Sequence, residues 1–440
     1  MNKYFIHTFG CQMNVHESEK IAGTLVSLGY VATDDINFAD VIVFNTCCIR
    51  DSAEKKIYAK IGDVKGLKRL NELLIVCVVG CMTQQTGMSD TLKSKFPFID
   101  IVLGTSNVHL LGEKIKEISS FYLKNRKKIY EITDSSTEIV NDFYELRTSY
   151  PNAWVNIMYG CNNYCTYCIV PFVRGRERSR SPQSILDEVK RLLDEGYKEI
   201  TLLGQNVNSY FSDNWNFAKL LDAIGALSFK FRLRFMTSHP KDFSSEIVDI
   251  MTAHKSICNF IHLPVQAGSN NVLKAMGRQY TREKYLDLIS MIRNKIPDCG
   301  ITSDIMVGFP TESDEDFFET LELVKAVRFT NAFTFVYSPR TGTVAQKMLQ
   351  IPANIKKERI TKLIELQNQI SQEKSYEYLN KTYEILVEGV KDNDLACGKT
   401  SNGRLVNFKC GESKIGDFLN IHVDKVKASA LWGHIENGRE

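Results

Sequence analysis

From residue 3 to about 118, short apolar runs alternate with amphipathic segments, and this alternation restricts the fold of the 440-residue chain more than any other feature. KYFIHTFG (3–10), DVIVFNT (40–46), LLIVCVVG (73–80) and IDIVLG (99–104) read as strands, and the segments 14–29, 51–67, 88–96 and 107–118 read as helices. Buried strands joined by helical crossovers indicate a parallel sheet wrapped by helices. The expectation is an α/β protein with an open parallel domain over 1–120.

The charged LKNRKK and the polar TDSSTEIVND break the pattern, so 121–150 reads as a linker or crossing segment. A second series follows, with strands expected at 154–160, 199–206, 231–238, 259–266, 301–309 and 332–338. The helix after the first of these has Ser181 as N-cap, Pro182 at its first position and Gly196 as its stop. Six β/α units are two short of a closed eight-stranded barrel. A partial (β/α)6 barrel over 151–378, open on one side to a large substrate, is the expected form.

The last segment, 379–440, changes to short alternating strands punctuated by glycine and asparagine. It reads as a small antiparallel barrel of the kind that holds nucleic acid. Nine basic residues there balance nine acidic ones, so shape and local patches would have to do the binding.

A composition of 43% hydrophobic and 24% charged residues excludes disordered and fibrous classes. The N-terminus lacks the pattern of a secretory signal, and the longest apolar stretch, 73–82, is half of the roughly 20 residues a spanning helix needs. A soluble cytoplasmic protein without a membrane partner is expected. In that reducing compartment the twelve cysteines point to metal or redox chemistry rather than disulfides. A net charge of +3 allows a polyanionic partner without requiring one.

Within 160-GCNNYCTYCIV-170, Cys161, Cys165 and Cys168 are gathered with no histidine or carboxylate among them. Three thiolates can hold three corners of a cubane iron–sulfur cluster and leave one iron open, where S-adenosylmethionine can chelate and be cleaved to a radical. The alternative is structural zinc, but such sites are closed by four ligands and no second C-x2-C exists in the chain. Cys11, Cys47 and Cys81 each follow a predicted strand, so they should converge at the carboxyl edge of the first sheet as a second metal site. Cys48 is either a bystander or a substitute ligand, Cys77 lies inside a strand, and Cys258 and Cys299 read as small core residues.

The loop 161-CNNYCTYCIVPFVRGRERSR-180 resembles the signature of the radical S-adenosylmethionine methylthiotransferases, in particular their tRNA-modifying branch. FGCQMN (9–14), NTCCIRDSAEKK (45–56), GCMTQ (80–84), GQNVNSY (204–210), HLPVQAGS (262–269), RQYTREKY (278–285) and MVGFPTES (306–313) carry the resemblance over the whole chain, and the last segment is similar to a TRAM domain. The resemblance implies two [4Fe-4S] clusters. Cys161, Cys165 and Cys168 would hold the one that cleaves S-adenosylmethionine, and Cys11, Cys47 and Cys81 an auxiliary one that supplies or carries sulfur.

The implied reaction places a methylthio group on C2 of N6-isopentenyladenosine at position 37 of the tRNA anticodon stem-loop. Two S-adenosylmethionine molecules are consumed, one as methyl donor and one as source of the 5′-deoxyadenosyl radical. An electron donor and a sulfur or cluster supply system are implied partners, and a monomer is expected. Threonylcarbamoyl-adenosine or a ribosomal-protein aspartate are the alternative substrates, and a zinc-stabilised RNA-binding protein is the non-catalytic alternative.

Tyr167 sits where the family contacts the cofactor adenine, and Gln205 and Gln266, at strand ends, are further cofactor or substrate candidates. Arg174, Arg176, Arg178 and Arg180 form the densest basic run and read as RNA phosphate contacts, with pairing to Glu177 or to neighbouring acids as the plain alternative. Three positions depart from the family pattern: Thr311 stands where glycine is usual, Cys48 where a cysteine is not, and His16 is atypical.

Overall fold

The structure is a computed structural model, and it describes residues 2–48, 51–120, 127–133, 145–391, 394–427 and 430–436. Most of the segment read as a linker, 121–126 and 134–144, lies outside the described residues, as do Ile49 and Arg50 of the NTCCIR motif.

The N-terminal sheet has six parallel strands: β1 (Lys3–Thr8), β2 (Val31–Ala32), β3 (Val41–Thr46), β4 (Ile75–Gly80), β5 (Ile101–Leu103) and β6 (Ile129–Glu131). Their order is β2-β1-β3-β4-β5-β6. Every residue of β3 and β4 is buried. Alternation sends Ile42, Phe44, Val76 and Val78 to one face and Val41, Val43, Ile75, Cys77 and Val79 to the other, so both faces carry a core. One strand, β2, exceeds the sequence expectation, being two residues long and too short to show a period, and the three-residue β6 comes from within the stretch read as a linker or crossing segment.

The second sheet system runs through β7 (Asn152–Asn156), β8 (Glu199–Leu203), β9 (Arg232–Phe235), β10 (Phe260–His262), β11 (Gly300–Val307) and β12 (Asn331–Val336). Strands β7-β8-β9 and β10-β11-β12 form two parallel sets, linked by a parallel bridge between Leu233 and Ile257. Six strands in chain order make an arc. The helix Pro182–Asp194 begins as expected, with the Ser181 hydroxyl accepting from Ser184 N at 3.3 Å and Gly196 at φ +94° after its end.

The C-terminal strands β13 (Thr382–Lys391), β14 (Leu395–Thr400), β15 (Leu405–Lys409), β16 (Phe418–Lys427) and β17 (Ala430–Ile435) close into a barrel in the order β13-β14-β15-β17-β16. The barrel is antiparallel, as expected, at four of its five pairings, and β15 and β17 pair in parallel to close it. Strand β14, LACGKT, was also not foreseen, as its small and glycine residues carry no β signal.

This barrel docks under the strand-entrance end of the six-stranded arc. Arg234 donates to the Ser401 and Thr400 carbonyls at 2.9 and 2.8 Å, Arg232 to the Glu384 carbonyl at 2.8 Å, and Asn402 to the Asp298 carbonyl at 3.1 Å. Gly300, the first residue of β11, is needed there because a Cβ would stand 2.1 Å from the Asn402 carbonyl oxygen.

A buried ionic network joins the N-terminal domain to the arc. His16, Glu19 and Lys20 on the helix Gln12–Ser27 meet Glu145 and Arg147 ahead of β7, and Arg180 and Glu188 beyond it. Arg147 pairs with Glu188 at 2.7 Å and Glu19 at 3.4 Å, Arg180 with Glu188 at 2.6 Å, and His16 with Glu145 at 3.0 Å. Burial raises the Glu145 carboxyl, but His16, Arg147 and Lys20 outweigh it and hold it down at about 2.

Thr311 adopts φ +75°, which explains why glycine is usual at this point. A left-handed β-branched residue costs roughly 1–2 kcal/mol, more than the extra chain entropy of a glycine, roughly 0.5–1 kcal/mol. Thr311→Gly should therefore raise stability by up to about 1 kcal/mol, read as a higher midpoint in urea unfolding.

Candidate active site

The first cysteine trio lies in the loop that leaves the carboxyl end of β7. Met158–Tyr159 pairs antiparallel with Arg178–Ser179 and pins both ends of the loop. Gly160 takes φ +79°, and a Cβ there would stand 2.0 Å from the Arg176 carbonyl oxygen. Asn162 and Glu177 clasp the loop reciprocally, each backbone N–H donating to the other's side chain at 3.1 and 3.2 Å. Glu177 is thus engaged by the loop itself.

Burial raises the Cys161 thiol and pushes the Cys168 thiol up to about 12. Both would lose their protons on binding a metal rather than before it. The buried Arg278 donates to the Cys165 sulfur at 3.5 Å, to the Pro264 carbonyl at 2.9 Å and to the Tyr280 hydroxyl at 3.1 Å.

The second trio stands at the carboxyl ends of β1, β3 and β4, three adjacent strands. Gly10 at φ +112° lets Cys11 approach, since a Cβ on Gly10 would lie 2.8 Å from the Cys47 sulfur. Gly80 at φ +102° does the same before Cys81, where a Cβ would stand 2.5 Å from the Thr46 carbonyl oxygen. Asn14 ties the turns together by donating to the Phe9 and Thr46 carbonyls at 2.7 and 2.9 Å.

Cys48 is fully buried, and its free thiol is hydrogen-bonded to the Cys81 sulfur. That bond, reinforced by Arg174, pulls the Cys81 thiol down to about 6 against burial, while the Cys48 thiol is pushed well up. Cys77 is buried within β4, and Cys258 and Cys299 are buried in the arc.

Arg174 and Arg180 correct the expectation of a four-arginine phosphate patch. Arg174 is 9% exposed, donates from Nε to the Cys81 sulfur at 3.1 Å and from Nη2 to Asn14 Oδ1 at 3.0 Å. Arg180 is buried on Glu188, Ser184 and the Asn156 carbonyl. A guanidinium held by buried partners cannot also reach a phosphate in solvent. Arg178 is half-buried and bonds the Arg174 carbonyl at 3.2 Å, and Arg176 alone of the four is exposed.

The segment after Cys168 brings the two trios together. Ile169 and Val173 pack in the same apolar cluster as Cys48 and Cys81, and Thr105 donates to the Val173 carbonyl at 2.6 Å. Gln205, past the end of β8, donates to the Met13 sulfur at 2.6 Å across the same boundary. Gln266, past the end of β10, is buried at φ +70° with its backbone bonded to Asp304. Tyr167 lies among Cys165, Cys168 and Arg278, edge-on to Phe309 with ring centroids 6.4 Å apart, and burial raises its hydroxyl well above the usual range.

Two observations test what these trios fit. Among the described residues, neither trio has its three sulfurs within 4.8 Å of one another, whereas one tetrahedral zinc at ~2.3 Å from each sulfur would bring them to about 3.8 Å. Each trio also receives a buried arginine that makes no carboxylate ion pair among the described residues and ends on a sulfur. A buried cation is stable only beside a compensating anion, which cluster-bound thiolates supply.

An open thiolate trio at the carboxyl-end face of a six-stranded β/α arc defines a radical S-adenosylmethionine enzyme, and the Radical SAM superfamily matches residues 155–324. That domain implies a [4Fe-4S] cluster and S-adenosylmethionine. "Uncharacterized protein family UPF0004" matches residues 3–104 and the TRAM domain residues 377–435.

Over 98% of its length the chain is 47% identical to the tRNA-2-methylthio-N(6)-dimethylallyladenosine synthases of Clostridium botulinum (strain Langeland) and Thermoanaerobacter sp. (strain X514), covering 97% and 92% of those proteins. The chain belongs to the tRNA-2-methylthio-N(6)-dimethylallyladenosine synthase family. Among solved structures, the radical S-adenosylmethionine methyltransferase TsrM of Kitasatospora setae aligns with a TM-score of 0.58 at 13% identity over 79% of this chain and 77% of that one. The cobalamin-dependent radical enzyme OxsB aligns at 0.53 and 13%, over 83% of this chain and 56% of that one. At such identity these share the fold alone. Among the described residues no helix is long and apolar enough to cross a membrane.

Proposed function

We propose that the chain methylthiolates C2 of N6-isopentenyladenosine at position 37 of tRNA, with Cys161, Cys165 and Cys168 holding the cluster that binds S-adenosylmethionine and Cys11, Cys47 and Cys81 holding an auxiliary cluster. The reading rests on full-length identity to named synthases and, for the second cluster, on the convergence of three strand-end cysteines around Arg174. When bound, the first cluster and S-adenosylmethionine supply a carbon radical, the chemistry required by an aromatic C–H with no acidic proton.

The residues of the chain bind, orient and exclude water. Ile169 and Val173 seal the boundary between the two trios with apolar packing, and Met13 and Gln205 span it. Tyr167, Gln205 and Gln266 line the cofactor side, at the carboxyl end of the arc. Mass spectrometry of tRNA nucleosides from a strain lacking the gene should show the methylthio group missing from this nucleoside and restored by the intact chain. Its presence without the gene overturns the reading.

RNA reaches the site over the exposed rim of the cysteine loop. Tyr164 and Phe172, 49% and 56% exposed, sit edge to face with centroids 6.3 Å apart, on the same loop as the exposed Arg176. Exposed aromatic rings beside a cation suit unstacked loop bases. Arg176→Glu should weaken binding of an anticodon stem-loop and flatten its salt dependence. Tyr164→Ala with Phe172→Ala should cost about 1–3 kcal/mol per stacked base with the salt slope unchanged, both read by fluorescence anisotropy across a salt series.

A further inference from the structure

Arg174 belongs by sequence to the radical-cofactor loop, six residues past Cys168, yet its guanidinium bonds through Nε and Nη2 to the other domain. Its Nε–H points at the Cys81 sulfur, and its Nη2–H at Asn14, the side chain that fastens the backbone just before Cys11 and Cys47. One buried cation therefore contacts one thiol of the second trio directly and the turns of the other two through a single intermediary. The buried arginine at the first trio, Arg278, reaches Cys165 from within its own domain, so of the two arginines that end on a cysteine sulfur Arg174 is the one that crosses between the domains.

We propose that Arg174 is a positioning residue that couples the two sites by fixing the auxiliary trio to the radical-cofactor loop and raising the reduction potential of the auxiliary cluster through its N–H on the Cys81 sulfur. The inference rests on the auxiliary cluster proposed above. An N–H donor and a positive charge on a ligating sulfur stabilise the more negative, reduced form of a cluster, and such outer contacts also fix the ligand's orientation. The same guanidinium is anchored to the loop carrying Cys168 through the short helix Val170–Arg174, whose Val173 is buried in the N-terminal core. Movement of one trio is thereby transmitted to the other.

The test uses the full chain with Cys161, Cys165 and Cys168 all replaced by alanine, purified without oxygen and reconstituted with iron and sulfide, so that only the auxiliary cluster is observed. Arg174→Gln should move its midpoint potential, followed by electron paramagnetic resonance in a redox titration, to more negative values at unchanged iron content. Arg174→Lys, which keeps the charge without the planar fork, should move it less. An unchanged midpoint in Arg174→Gln overturns the inference, and if that variant fails to hold iron, an unchanged midpoint in Arg174→Lys does so.

If the parent with three alanines holds no iron, the auxiliary-cluster reading itself fails, and the inference with it. In the chain with all its cysteines, Arg174→Gln should retain cleavage of S-adenosylmethionine while methylthiolated product falls about 10- to 100-fold. Equal loss of both would mark a merely structural role and overturn the coupling.

Discussion

Replacing Cys11, Cys47 and Cys81 together by alanine should leave about half of the iron bound, keep reductive cleavage of S-adenosylmethionine, and reduce methylthiolated tRNA to background. The separation of the two activities follows from the separation of the trios. The first is built by a loop of the arc, with its own glycine hinge and its own arginine, and none of those parts comes from the N-terminal sheet. The second is built on the edge of that sheet and receives Arg174 from the loop of the first, while none of its own thiols serves the first trio. Iron and acid-labile sulfide analysis, with chromatography of 5′-deoxyadenosine and of the digested tRNA, reads all three quantities. Full methylthiolation in the triple variant would remove the auxiliary site from the mechanism.

The second large effect lies away from the cysteines. Glu188→Ala should destabilise the chain by about 3–5 kcal/mol, because it strips Arg180 of its carboxylate and Arg147 of one of its carboxylates, all in a buried setting. Since the network joins the N-terminal helix to the arc, the loss should appear in the first thermal transition and be accompanied by easier proteolysis between the domains. A shift within experimental scatter would mean that solvent already screens these ions.

Much of this was legible before any coordinates. Period and crossover length expose a parallel sheet wherever strands are five or six residues long, as β1, β3 and β4 are, and the edge of such a sheet gathers whatever follows each strand. Cys11, Cys47 and Cys81 could therefore be grouped across 70 positions of sequence. Strands of two or three residues, such as β2 and β6, leave no period to read.

The arginine run was illegible for a different reason. Arg174, Arg176, Arg178 and Arg180 look alike in sequence, but the partner that turns Arg174 inward lies 93 residues away in another domain, and Arg180 meets Glu188 one helix later. Which cation is solvated depends on tertiary contacts that no local composition reports.

The docking of the C-terminal barrel fixes a minimum size for whatever it helps to hold. Its anchors, Arg232, Arg234 and Gly300, lie where the strands of the arc begin, and the thiols lie where they end. A polymer that touches both must travel the outside wall for at least ~17 Å, the height of five extended residues at ~3.3 Å each. A free nucleoside is too small to bridge that gap, whereas an elongated macromolecule can be measured against both ends at once.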